Sequence, residues 1–167
     1  MSQESNSTPL DPYWKLRPTP PTPDDEICRC DHCEQLVLRD SLGENPLYCL
    51  ICNGEVAPER IGFDEPLADH IHYWRSIHRS LYLLWLDSGE YENWAAEKLR
   101  EPSGSVNVNG RDIVQRLNEF VRCYYWWFND TGIDGYVPPE RCPSCSGPLS
   151  ECVDRDLQKC EMCSILI

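Results

Sequence analysis

Eight cysteines set out as four Cys-x-x-Cys pairs are the residues of this chain whose type and spacing carry chemistry. Cys30-Asp-His-Cys33 is followed by Cys49-Leu-Ile-Cys52, and Cys142-Pro-Ser-Cys145 by Cys160-Glu-Met-Cys163. A two-residue gap lets both thiolates of a pair reach one ion, and two pairs carried on a hairpin complete a tetrahedron of sulfurs. One such pair would equally suit a thioredoxin-like redox motif; two paired sets point to metal. The spacing therefore predicts two zinc ribbons holding two structural Zn2+, with Cys30, Cys33, Cys49 and Cys52 as one ligand set and Cys142, Cys145, Cys160 and Cys163 as the other. Four thiolates leave no open position for water, so neither site is expected to be catalytic. Two alternatives stand beside the first set. Cys28 competes with Cys30, because Cys28-x4-Cys33 is also a workable spacing, and His32 inside the first pair competes with a thiolate. Cys123 and Cys152 read as buried core thiols.

The elements that must position these sulfurs follow from pattern. Gln35–Arg39 and Leu47–Ile51 read as the strands of the first ribbon, joined by a turn at Asp40–Gly43. Leu149–Val153 reads as a strand of the second, Asp154–Asp156 as its turn, and Ser164–Ile167 as a short apolar end. Between the ribbons the period changes to that of helix. Leu67, Ile71, Trp74, His78, Leu81 and Trp85 make one stripe, with Pro66 in the first turn and Gly89 past the end. Ser88 would cap a second helix that presents Tyr91, Trp94, Ala95 and Leu99 on one face and stops before Pro102. Ser103–Gly110 reads as a loop, and a third helix from about Asn109 would carry Ile113, Leu117, Phe120, Tyr124 and Phe128. Residues 1–26 hold six prolines and read as an extended tail, in which Tyr13-Trp-Lys-Leu16 is the one segment suited to packing on the body. The expected class is α+β: a Pro-rich tail (1–26), an N-terminal zinc ribbon (27–60), a three-helix middle (61–135) and a C-terminal zinc ribbon (136–167).

Composition narrows the function. The 167 residues hold 28 Asp and Glu against 15 Lys and Arg, a formal net charge of −13. Eight thiolates on two Zn2+ would carry it to about −17. Such a field opposes binding to phosphate backbones and suits a basic partner. No stretch is long and apolar enough to span a bilayer, and no secretory leader pattern is visible. Eleven cysteines, an odd number, then read as metal ligands and free thiols of a reducing cytoplasm rather than a disulfide framework. No phosphate loop, nucleophile elbow or His-Glu-x-x-His pattern is present. His70, His72 and His78 read as packing at the bundle edge, and Arg75, Arg79, Arg111, Arg116 and Arg122 as a solvated face.

The chain resembles a family of bacterial zinc-ribbon-containing proteins of uncharacterised function whose description includes nucleic-acid binding. The resemblance covers residues 67–167 and rests on Trp85-Leu-Asp-Ser-Gly-Glu-Tyr-Glu92, Asn109-Gly-Arg111, Tyr124-Tyr125, and Cys142-Pro-Ser-Cys145 with Lys159-Cys160-Glu-Met-Cys163. It departs from the family pattern at Ser146-Gly147 and Leu149, where a Gly-Gly and a nearby Trp are expected.

The function expected is non-enzymatic: a zinc-stabilised binding or adaptor protein with a protein partner, in its specific form an acidic inhibitor of a basic protein. The alternative, implied by the resemblance, is binding of single-stranded RNA or DNA. Both readings use the aromatic run Tyr124-Tyr-Trp-Trp-Phe128, so Tyr124, Tyr125, Trp126 and Trp127, with Trp14 from the tail, are the candidate partner-binding residues. The plainer reading of the run is contact between the third helix and the ribbons.

Overall fold

The structure is a computed structural model and describes residues 11–40, 43–130, 135–152 and 155–167. The tail call for residues 1–10, the centre of the first hairpin turn and Asp154 lie outside the described residues. The elements are β1 (Gln35–Leu38), β2 (Leu47–Cys49), α1 (Glu65–Asp87), α2 (Glu92–Arg100), α3 (Ser105–Leu117), β3 (Arg122–Trp126), β4 (Ser150–Cys152), β5 (Leu157–Cys160) and β6 (Ile165–Leu166).

Among the described residues, all six strands belong to one sheet, in the order β2-β1-β3-β6-β5-β4. The three central strands β1, β3 and β6 are parallel; β2 and β5 flank them antiparallel, and β4 closes the edge. The two cysteine-bearing hairpins are thus not separate ribbons clamping a helical middle. The middle contributes the strand that joins them.

That strand replaces the C-terminal half of the expected third helix; the half that carries Ile113 and Leu117 is α3. Residues 122–128 do not continue α3, which ends at Leu117. Asn118 ends it: its side-chain amide donates to the carbonyls of Val114 and Cys123, and its Oδ1 accepts from the Cys123 N–H at 3.0 Å. A near-continuous apolar run is also what a parallel strand covered on both faces looks like. Cys123, Tyr125 and Trp127 pack into the helix-side core, while Tyr124 packs with Val37, Leu50, Cys152 and Leu166 on the other face.

The helix-side core sets Leu36, Leu38, Tyr125 and Ile165 against Leu67, Ile71, Trp74 and Ile113. Asp64 caps α1 by accepting from the Leu67 N–H at 3.0 Å, with Pro66 in the first turn. α3 starts earlier than expected, so most of the expected loop is helix. Gly110 sits inside it because a Cβ there would come within 2.4 Å of the Tyr125 ring. Buried Asn107 ties the layers together: its amide donates to the carbonyls of Leu99 and Glu101, and its Oδ1 accepts from the Tyr125 hydroxyl at 2.9 Å. α2 buries Ala95, Ala96 and Leu99; Tyr91 and Trp94, expected on that face, are exposed. Ser88 does not cap α2; its hydroxyl donates back to the Leu84 carbonyl.

The segment around Tyr13 packs on the body. Tyr13 and Leu16 are buried, the Tyr13 hydroxyl donates to the Phe63 carbonyl at 2.6 Å, and Lys15 pairs with Asp69 of α1 at 2.6 Å.

Candidate metal centres

Three of the four Cys-x-x-Cys pairs form the same knuckle. After Cys52, Cys145 and Cys163 the chain places Asn53, Ser146 and Ser164 in the left-handed region, with φ of 61°, 57° and 52°. In the first two the chain folds back on itself. The N–H of Asn53 donates to Cys49 and that of Cys49 to Gly54; Ser146, Cys142 and Gly147 repeat the pattern. The Gly147 N–H also donates to the Cys145 sulfur at 3.4 Å. No such turn follows Cys33, among the described residues.

The missing knuckle changes the first ligand set. The sulfurs that lie within 4.8 Å of one another are those of Cys28, Cys30, Cys49 and Cys52, not the expected Cys30, Cys33, Cys49 and Cys52. Cys28 joins Cys30 rather than replacing it, and Cys33 stands beside the group, its thiol directed to the Gln35 carbonyl at 3.7 Å. Backbone pairing explains the exchange. Residues 26–28 run as an extended segment along the β2 knuckle: the Cys28 N–H donates to Glu55 and the Glu55 N–H to Glu26, both at 2.8 Å. Gly54 permits that approach, since a Cβ there would lie 2.5 Å from the Cys28 nitrogen. Arg60, at the end of a short 3-10 turn (Pro58–Arg60), donates to the carbonyls of Cys28 and Cys30 at 2.7 and 2.5 Å. Spacing offered Cys28 only as a substitute for Cys30, never beside it, and does not reveal Gly54 or Arg60. The signal available was the Asn-Gly after Cys52, matched by Ser-Gly after Cys145 and absent after Cys33.

The second set is Cys142, Cys145, Cys160 and Cys163, again within 4.8 Å of one another. Sulfurs at the corners of a tetrahedron with metal–sulfur bonds of about 2.3 Å stand about 3.8 Å apart. Cys30 and Cys49 are 4.0 Å apart, and Cys145 and Cys160 3.7 Å. That is far outside disulfide length, and all eleven cysteines are free. Both donor sets fit a thiophilic tetrahedral ion, for which zinc is the usual occupant.

Each quartet contains one thiol readied to ionise. Burial opposes the charge on Cys28, but the Cys30 N–H, the neighbouring thiols and Arg60 outweigh it and bring it down to about 7. At Cys145 the Gly147 N–H leads the same effect, also to about 7. Burial pushes Cys163 up to about 12. Burial and the charge of Cys49 push Cys33 up to about 12.

The expected partner-binding aromatics divide. Tyr124, Tyr125 and Trp127 are interior, at 2%, 1% and 2% exposure, and offer no surface. Trp126 is half-buried, and Trp14 is exposed at 60%. The arginines divide: Arg75 and Arg79 turn toward buried Asp40 and Arg111 donates to Ser144 beside the second cluster, whereas Arg116 and Arg122 keep exposed side chains and pair with Asp64 at 3.4 Å and Glu161 at 2.7 Å. His72 meets the Lys15 carbonyl at 3.2 Å, and His78 packs on the Trp74 ring.

The chain matches no family model, no curated protein and no solved structure. Among the described residues, no helix is long and apolar enough to cross a membrane.

Proposed function

We propose that the chain is a non-enzymatic adaptor, folded around two structural Zn2+, that takes a basic protein partner on the outer surface of α1 and α2. The closed thiol quartets support the structural part: with four sulfurs on an ion, no site remains for a substrate or a water. One observation carries the partner part. Leu84, Tyr91 and Trp94 line an apolar groove, with Leu83 and Leu86 exposed at 51% and 55% on the same helix as Leu84. Asp87, Glu90 and Glu92 lie in the chain between those groups. An apolar patch with acids around it suits a segment that brings an apolar anchor flanked by Lys and Arg. The acidic inhibitor of a basic protein is the specific form of this reading.

Nucleic-acid binding through the 124–127 run has less support, because three of its four aromatics are interior and the net charge of −13 opposes a polyanion. The test is a pull-down and cross-linking experiment with the metal-loaded chain against its Trp94→Glu variant. A stoichiometric basic protein should be recovered by the first and lost from the second. Equal recovery by both, or none, would remove the adaptor reading. Mobility shifts with single-stranded RNA and DNA should stay flat at low salt.

A further inference from the structure

The N-terminal cluster holds more sulfur than one ion uses. Cys28, Cys30, Cys49 and Cys52 form its quartet, and Cys33 is a fifth thiol at its side. The Cys33 thiol is within hydrogen-bonding reach of the Cys49 sulfur, and the charges of Cys28 and Arg60 act on it. Its other contact is the Gln35 carbonyl at 3.7 Å. Cys33 is half-buried, and the chain does not turn back around its sulfur as it does after Cys52, Cys145 and Cys163.

The C-terminal cluster is built without such a neighbour. The thiols and hydroxyls that act on Cys142, Cys145 and Cys163 are those of the quartet itself and of Ser144. The remaining cysteines are buried elsewhere: the Cys123 thiol turns to the Tyr124 carbonyl at 3.8 Å, and Cys152 packs with Val37 and Leu50. Access from outside is alike, since each quartet has one exposed cysteine, Cys52 and Cys145. The fifth thiol is therefore the chemical difference between the sites. A closed tetrahedron of thiolates has no vacant position, so its ion leaves only as one ligand replaces another. At the C-terminal site the replacing group must come from solution. At the N-terminal site the chain already holds one, at the roughly millimolar or higher effective concentration of a tethered group. Sequence supports the exchange: Cys28-Arg-Cys30-Asp-His-Cys33 offers two pairings around a shared Cys30. Cys28 with Cys30 is the resting one, and Cys30 with Cys33 is the ordinary Cys-x-x-Cys pair.

We propose that the N-terminal cluster is a metal-exchange site, in which Cys33 replaces Cys28 on the ion as the first step of its transfer to the thiolates of another molecule, while the C-terminal ion stays in place. This rests on the zinc part of the function proposed above. In the step a bond from the Cys33 sulfur to the ion forms as the bond from Cys28 breaks. The proton of the Cys33 thiol passes to the departing Cys28 sulfur, and the ion keeps its oxidation state and its four sulfurs. Backbone pairing of Cys28 to Glu55 keeps the displaced sulfur at hand, so the exchange needs no unfolding. Cys33, with no turn to hold it, is then the ligand that an outside thiolate displaces.

Isotope exchange in the full, zinc-loaded chain tests it. The protein is incubated with an excess of isotopically enriched zinc, desalted at intervals, and its isotope ratio is read by mass spectrometry. Two phases of equal size should appear, one ion each, the faster at least about tenfold faster than the slower. Cys33→Ser should bring the fast phase down to the slow one, with two ions per chain and an unchanged near-ultraviolet circular dichroism spectrum. Cys33→Ala gives the same reading if the serine variant does not fold. A single phase for both ions, or a fast phase that survives in the Cys33 variants, would overturn the proposal. So would a folded Cys33 variant that holds one ion, because Cys33 would then be a resting ligand. A wild-type chain that binds no zinc at all would instead remove the earlier reading on which this one rests.

Discussion

The two cysteine clusters share chemistry but not construction. The C-terminal one is symmetric: two knuckles, Cys142–Cys145 and Cys160–Cys163, each with a left-handed residue after its second cysteine. The N-terminal one has a single knuckle, Cys49–Cys52, and takes its other two sulfurs from the extended segment Cys28–Cys30, held by backbone pairing to Glu55 and by Arg60. It also keeps a fifth thiol, Cys33, beside the four. The contrast shows that a ligand set is chosen by which backbone can turn its sulfurs inward, and that Cys-x-x-Cys spacing is only one way to do so.

Removing the metals tests what the clusters have in common. Each site should hold one ion, two per chain by metal analysis, and a strong chelator should collapse the fold as read by near-ultraviolet circular dichroism. Such sites contribute roughly 10–16 kcal/mol in isolated fingers. Acid should act in the same direction: four thiolates are needed per ion, and Cys28 and Cys145, ionised above about 7, lose their charge as pH falls through that value.

The next largest effect separates the clusters. Cys28→Ser should cost the N-terminal ion, leaving one per chain, whereas Cys33→Ser should keep both. The reverse result would restore the quartet that spacing predicts. Gly54→Ala should likewise weaken the N-terminal site by forcing residues 27–28 away, for about 1–3 kcal/mol of stability in thermal unfolding. Gly147→Ala at the equivalent knuckle should cost less, because the nearest atom to its Cβ is the Cys145 sulfur at 3.1 Å rather than backbone at 2.5 Å. Arg60→Gln should lower metal affinity at the N-terminal site about tenfold and leave the other unchanged in competition with a chromophoric chelator. The smallest change is Arg155→Ala, which removes a 3.0 Å hydrogen bond from Arg155 to Asn53 across the ends of the sheet and should shift stability by no more than about 0.5 kcal/mol.

The sulfur chemistry was legible because spacing and residue type are local. So were α1, whose cap, first-turn proline and apolar stripe agree, and the first hairpin, whose apolar strands bracket a turn. The strand β3 was not legible. Its residues fit a helical period with Ile113 and Leu117, and the choice of strand is made by distant partners, Leu36–Leu38 on one side and Ile165–Leu166 on the other. Gly110 misled in the same way. It reads as a loop residue, yet it lies within α3, and it is a glycine because the Tyr125 ring leaves no room for a Cβ. Arg75 and Arg79 looked solvated because their partner, Asp40, is far off in the chain.

The position of β3 also sets an order of events during synthesis. The hairpin β1–β2 leaves the ribosome long before the strand that will lie against β1, with all three helices made in between. Through that interval the edge of β1 is a bare row of amides and carbonyls, the kind of surface that recruits other chains. Early capture of an ion by Cys28, Cys30, Cys49 and Cys52 would hold the hairpin and its neighbouring segment together until residues 122–126 arrive, and metal supply would then govern yield as well as final stability.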